Sequence, residues 1–397
     1  MDGIGARVRM VRNARKLGIR VAAGLAGVSK SAWAAWETGD QPLNRLSEIE
    51  KVAEVLGVSK QWLQGSPAEP TSHESAEVHR YSNRIREAMI SLELGEHPGV
   101  DPRPLTALVD QAYRASGIGI GAGELSTAAA RLLPDILVEL HAWVAAGTEQ
   151  EQVEALRALV LTYATTCSVI KWAGSFDLAW IAASAGRQAA VRLGEPMWCG
   201  LAEFYVSHAL APYARALTNS ESAIAALQPH VGADPLSHQV YGMLHQMAAF
   251  GAAVTGQSDV VQAHLAEAGV LADKLGDNTD LDLYFGPTNL SLWRAAIAVE
   301  QGEGGRASEV ARHTDIRRIP SPARQASFLI DVGRGFVQER HDSQALTTFL
   351  HAEALAPQIV TNSALVRSAT EHILTRATRA AGGADLREFA RRVGAVP

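Results

Sequence analysis

Ile19-Arg20-Val21-Ala22-Ala23-Gly24-Leu25-Ala26-Gly27-Val28-Ser29-Lys30-Ser31-Ala32-Trp33-Ala34-Ala35-Trp36-Glu37 reads as two short helices hinged on a glycine. Gly27 suits a left-handed backbone position, and Ser29 directly after it is a natural N-cap for the second helix. Val28, Trp33 and Trp36 then share one face, while Lys30, Ser31, Ala34 and Ala35 share the other. The apolar face packs inward, and the second face is left for solvent or for a groove.

Outward from this pair, the spacing predicts five helices within residues 4–64. Ile4, Val8 and Val11 form the inner stripe of the first, which is expected to end near Gly18. The second runs to Ala26 and the third from Lys30 to Glu37. Thr38-Gly39-Asp40-Gln41-Pro42 is a turn by composition. Leu46, Ile49, Val52, Ala53 and Leu56 repeat at helical spacing, Gly57 closes that helix, and Ser59 caps a short last one holding Trp62 and Leu63.

Residues 65–75, GSPAEPTSHES, are polar, carry prolines and lack large apolar side chains, so they read as a linker about which two domains reorient. Beyond it the periodicity is helical and no pair of strands with a hairpin turn stands out. Residues 326–359 contain Leu329, Val332, Gly333 and Phe336, then Ala345, Phe349, Ala352 and Pro357. That spacing matches a tetratricopeptide unit, in which small residues let two helices approach and the proline stops the second. Looser echoes lie at Ala223/Leu227 with Pro235, at Val261/Leu265/Ala268 and at Ala307/Ala311. An irregular stack of helical hairpins is expected, because one repeat cannot bury its own face.

The 397 residues are 47% hydrophobic and 20% charged, as in ordinary globular proteins of two or more compact units. The net charge of -6 is unevenly spread: residues 1–65 carry +4 and residues 66–397 carry -10. Only the head suits phosphate, and Arg7, Arg9, Arg12, Arg15, Lys16 and Arg20 precede every acid but Asp2. Cys167 and Cys199 have no metal-ligand or redox spacing and read as reduced core residues. Without a signal-peptide h-region or an uninterrupted apolar run of about 18 residues, the expected location is cytoplasmic, with no membrane partner.

Taken together, Ile4 to Arg12 (IGARVRMVR), Gly27-Val28-Ser29, Trp36-Glu37-Thr38-Gly39, Pro42 and Leu56-Gly57-Val58-Ser59 resemble the XRE family, the helix-turn-helix of Cro and the phage repressors. The resemblance covers about 60 residues. It implies a DNA-binding head in which Lys30 and Ser31 begin the recognition helix facing base edges, with Ala35 one turn later. It places Arg45, at the start of the fourth helix, against phosphate, and pairs Arg12 with Glu37 in an internal salt bridge. Arg9 joins the phosphate-facing candidates through the basic run. Two departures stand out. Gly18-Ile19 replaces the polar residue usual at the start of helix two, and tryptophans occupy core positions where Ile or Leu is usual. With so sparse a reading face, DNA shape and half-site spacing become part of specificity. The head joined to a tetratricopeptide-like body resembles bacterial regulators of the peptide-sensing type and actinobacterial regulators of similar layout.

Other patterns carry less. The stretch Gly117–Gly123 follows no strand and leads to no Gly-Lys-Ser/Thr, so a loop is favoured over a phosphate cradle. His238 and His245 share a helical face without a completing thiolate or carboxylate, and no metal or cofactor is expected. No GxSxG occurs, and Asp280 and Asp282 read as flanking a helix start, so an enzyme is not expected. Tyr241, Tyr284, Phe285, Asn289 and Trp293 are candidate groove residues, since an asparagine holds a peptide backbone at donor and acceptor while aromatics take side chains. Packing is the commoner role for each of them.

The expectation is therefore an all-α chain: residues 1–64 a helix-turn-helix DNA-binding domain, 65–75 a linker, and 76–397 a superhelical tetratricopeptide-like sensor and dimerisation domain. The expected partners are a double-stranded DNA operator, a second copy of the chain and a peptide or small-molecule effector. The alternative is a DNA-bound scaffold that recruits a protein partner without sensing a ligand.

Overall fold

The computed structural model describes residues 3–65, 73–96, 101–118, 128–210, 213–232, 234–377 and 383–395. Five helices make the head: α1 (Ile4–Ala14), α2 (Ile19–Leu25), α3 (Lys30–Thr38), α4 (Leu46–Leu56) and α5 (Lys60–Gln64). Ile4, Val8, Ala22, Trp33, Trp36, Ile49, Val52, Leu56 and Leu63 are its buried core. The first helix stops at Ala14 rather than near Gly18. Lys16 takes a left-handed φ of 55° and the Leu17 amide closes back on the Arg12 carbonyl at 3.0 Å. A non-glycine residue in that role leaves no compositional mark.

The body begins with α6 (His73–Glu93), α7 (Leu105–Ser116), α8 (Ala128–Ala146), α9 (Glu149–Trp172), α10 (Phe176–Leu193), α11 (Pro196–Ala209) and α12 (Tyr213–Leu227). It continues through α13 (Pro235–Val254), α14 (Ser258–Leu275), α15 (Pro287–Gln301), α16 (Gly304–His313), α17 (Pro322–Gln338) and α18 (Asp342–Leu355). It ends with α19 (Pro357–Thr361), α20 (Ala364–Ala377) and α21 (Ala384–Val393). The fold is all-α, with no strand among the described residues. Of the stretch read as a linker, residues 66–72 lie outside the described residues, and α6 has begun by His73. Residues 119–123 of the glycine-rich stretch lie outside them too.

The chain divides into two compact units. One comprises Met1–Glu69, Arg294–Thr314 and Ala326–Pro397, so the head packs with C-terminal helices instead of alone. The contact supplies what two head helices lack. Gly3 has no side chain to cap α1, and Arg45 makes no capping bond at α4. The Glu371 carboxylate, from α20, accepts from the Ile4 amide at 2.9 Å, and Glu300, from α15, accepts from the Leu46 amide at 2.8 Å. Each thus puts negative charge at a helix N-terminus, where amides and macrodipole favour it. Arg334 donates to Glu300 at 2.6 Å and to the Asn44 carbonyl at 2.6 Å, while Arg367 donates to the Gly65 carbonyl and Ser368 to that of Leu43. Leu365 packs on the head core. In the same unit α17 and α18 form a helical hairpin: a Cβ on Gly333 would lie 2.4 Å from the Phe349 ring, so only glycine admits this approach.

The other unit comprises Pro70–Trp293 and Asp315–Gln325. From α8 to α14 each helix packs on the next. Helix α9 is long and apolar enough to cross a membrane, but 83% of its apolar window is buried inside the fold, which makes it a core helix here.

Candidate nucleic-acid interface

The third helix is set by local chemistry at both ends. Gly27 adopts a left-handed φ of 66°, and the Val28 amide closes on the Ala23 carbonyl at 2.9 Å. The Ser29 hydroxyl then accepts from the Ala32 amide at 3.1 Å and starts α3, and Gly39 ends it at φ 74°. Trp33 is wholly buried and Trp36 nearly so.

Beneath the helix lies a buried polar knot. Arg12 donates twice to Glu37, once at 2.8 Å from its terminal nitrogen, and once more to the Leu17 carbonyl. The Trp33 indole donates to the same carboxylate at 2.7 Å, and Arg9 to the Glu37 carbonyl at 2.8 Å. Burial pushes the Glu37 carboxyl up, but the bonds from Arg12 and Trp33 outweigh it and hold it below the usual carboxylate range. The tryptophan is therefore a polar partner as well as core filling, which isobutyl side chains cannot be. Reading the sequence assigned it packing alone; Glu37 four residues along the same helix was the available signal.

Ion pairing has consequences for what faces out. Lys30 and Ser31 are exposed, and among the described residues Lys30 has no ion-pair partner. The Ser31 hydroxyl lies 2.9 Å from that of Ser29. Ala34 and Ala35 are half-buried beside them, and Arg15, Lys16 and Arg20 are exposed on the neighbouring helices and turns. Arg9 leaves half of its side chain exposed. Arg45 is more engaged: it pairs with Glu48, feels Glu300 and lies against Gly302. A convex face of one lysine, a hydroxyl and two methyl groups, edged by arginines, fits a groove bordered by phosphates.

The five groove candidates of the body do not line one surface. Phe285 is fully buried, its ring filling the space a Cβ on Gly242 would need, so it is a core residue. Tyr284 is buried with its hydroxyl on Asp282 at 3.0 Å. Tyr241 lies elsewhere, against His245 at 4.7 Å between rings, and His245 meets His264 rather than a metal set. Asn289 and Trp293 come together through Arg324, which donates to Asn289 and lies 5.7 Å from the Trp293 ring. Asp280 and Asp282 belong to a short 3-10 turn.

Residues 4–63 match the family model of a helix-turn-helix domain. No curated protein matches the chain. Among solved structures, the chain is similar to Bacillus thuringiensis PlcR in complex with the peptide PapR7 and DNA, at 13% identity. That alignment covers 69% of this chain and 96% of the other, with a TM-score of 0.30, too low for positions to correspond.

Proposed function

We propose that the chain is a cytoplasmic, sequence-specific DNA-binding transcription regulator of the XRE type. Residues 1–64 bind a double-stranded operator. Lys30, Ser31 and Ala35 meet base edges, while Arg9 and Arg45 meet phosphate, the latter after releasing Glu48. Residues 65–75 connect this head to a tetratricopeptide-like region, 76–397, that dimerises and senses a small ligand or peptide. Dimerisation follows from the size of the reading surface, since one small head reads only a half-site. A ligand then acts through its differential affinity for two arrangements of the paired heads. Catalysis is no part of this reading.

The observation that carries it is the α3 surface: a capped helix with its tryptophans turned in and Lys30 and Ser31 turned out, within the segment that matches the helix-turn-helix model. The test is fluorescence anisotropy of duplex fragments from upstream of the gene, titrated with full-length protein across a salt series. Tight, fragment-selective binding that weakens steeply with salt supports the proposal. Absence of salt-sensitive binding to every fragment overturns it.

A further inference from the structure

Helix α10, within the unit built from Pro70–Trp293 and Asp315–Gln325, is covered on one side only. Leu178, Ala182, Gly186 and Ala190 are buried at helical spacing, and α10 packs on α9 and α11. The face turned away is apolar. Phe176, Trp180, Ser184, Gln188 and Val191 follow one another at spacings of four, four, four and three, with Ile181 beside them. Phe176, Trp180, Ile181 and Val191 are all exposed, and no other helix has more than two large apolar side chains exposed among the described residues. Contiguous apolar surface of this kind marks a place where something docks.

Two opposite charges frame the stripe. Asp177 lies in the first turn of α10 and Arg192 in the last, both exposed, and among the described residues neither has an ion-pair partner. Arg192 donates to the Val144 carbonyl at 3.1 Å and so reaches no carboxylate. The other charges of this stretch are spent: Arg187 donates to Glu203 and Asn219, and Glu195 accepts from Arg157 at 3.0 Å. Asp177 stands seven residues before Ser184 and Arg192 eight after it. At 1.5 Å per residue the two charges are therefore about 11 and 12 Å from the middle of the helix, on either side. At that middle Ser184 and Ala185 are small and half-buried. A two-fold axis beside Ser184 lays an identical helix antiparallel to the first and brings each Asp177 alongside Arg192 of the other copy.

We propose that this face is where two copies of the chain join, α10 pairing antiparallel with α10 of the second copy about that axis. Trp180 and Ile181 of each copy lie over the small Ser184 and Ala185 of the other, while Phe176 and Val191 close the two ends. A second copy is the occupant the charges select. It supplies by symmetry an arginine for Asp177 and an aspartate for Arg192 at the same separation, so both ends are neutralised at once. The inference deepens the dimerisation half of the proposed function and rests on that half alone.

The test is analytical ultracentrifugation of the full-length protein over a concentration series, as wild type, Asp177→Arg, Arg192→Asp and Trp180→Ser. The wild type is expected to be a dimer, with its dissociation constant raised about tenfold or more in each variant, because each charge reversal sets like charges together twice and the third removes an apolar anchor. Mixing the two charge variants in equal amounts is the decisive arm. Each supplies the charge that the other now needs at both ends, so the mixed dimer should recover the wild-type constant to within about threefold. Both residues are exposed, circular dichroism checks that each variant is folded, and misfolded chains would not rescue one another. A wild type that stays monomeric at about 100 μM, a dimer that both charge variants leave intact, or folded variants that do not recover on mixing overturns the proposal. A monomeric wild type that instead holds a different protein, released by Trp180→Ser, also overturns it. Salt-sensitive operator binding by a dimer indifferent to these substitutions removes the surface and keeps the regulator. Dimers that depend on α10 but bind no operator do the reverse, so the two failures are separable.

Discussion

Substituting Glu300 tests whether the C-terminal helices hold the head. Its carboxylate does two things at once: it caps the Leu46 amide at the start of α4, and it neutralises Arg334, whose side chain is 2% exposed. Losing a cap costs about 1 kcal/mol. Stranding one member of a buried ion pair costs about 3–5 kcal/mol. Arg334 keeps Asp331 at 2.9 Å and the Asn44 carbonyl, which places the second term at the low end. Glu300→Ala is therefore expected to destabilise this unit by about 4 kcal/mol, a large part of ordinary domain stability. Glu300→Leu with Arg334→Leu removes both charges and is expected to recover more than half of that loss. Hydrogen exchange followed by mass spectrometry separates this unit from the other one. Amides of α4 lose protection in Glu300→Ala, while those of α9 keep theirs. A cost below about 1 kcal/mol, or a double variant as unstable as the sum of its singles, refutes the reasoning.

Other outcomes follow from the same geometry. Ser29→Ala removes the cap of α3 and is expected to cost about 1 kcal/mol in urea unfolding of the head's unit, with a larger loss of DNA affinity than of fold. Glu37 titrates below its ordinary value of 4.5 when folded, so its contribution is present above pH 4.5 and is lost as pH falls through the folded value. Acid unfolding monitored by circular dichroism should show that dependence in the wild type and not in Glu37→Gln. Lys171, which burial pulls down, acts with the same sign in a more alkaline window. Its folded value of about 8 lies below the ordinary 10.5, so between them the unfolded chain holds the extra proton and stability rises with pH. That rise should flatten in Lys171→Met; an unchanged slope counts against the burial assigned to this lysine.

The head was legible because its signals are short-range. Ser29, Ser59, Gly27 and Gly57 punctuate helices within a few residues of themselves, and Ile4, Val8, Ile49 and Val52 mark faces by period alone. The seating of that head was not legible. Glu300 and Glu371 cap helices 254 and 367 residues away, and nothing in a glutamate's local sequence states which amide it will meet. The placement of the body candidates was not legible for a related reason. An aromatic such as Phe285 is as suited to a core gap opened by a glycine, here Gly242, as to a ligand groove.

Selection of bound duplexes from a random-sequence pool, followed by a salt titration of the enriched sequence with wild-type protein and Lys30→Ala, tests the central claim most directly. The result expected is one enriched motif bound with a steep salt slope, weakened about tenfold or more by Lys30→Ala with a relaxed preference at the base it contacts. Enrichment of no motif, or affinity and preference that Lys30→Ala leaves unchanged, would contradict the assignment of α3 as the surface that reads DNA.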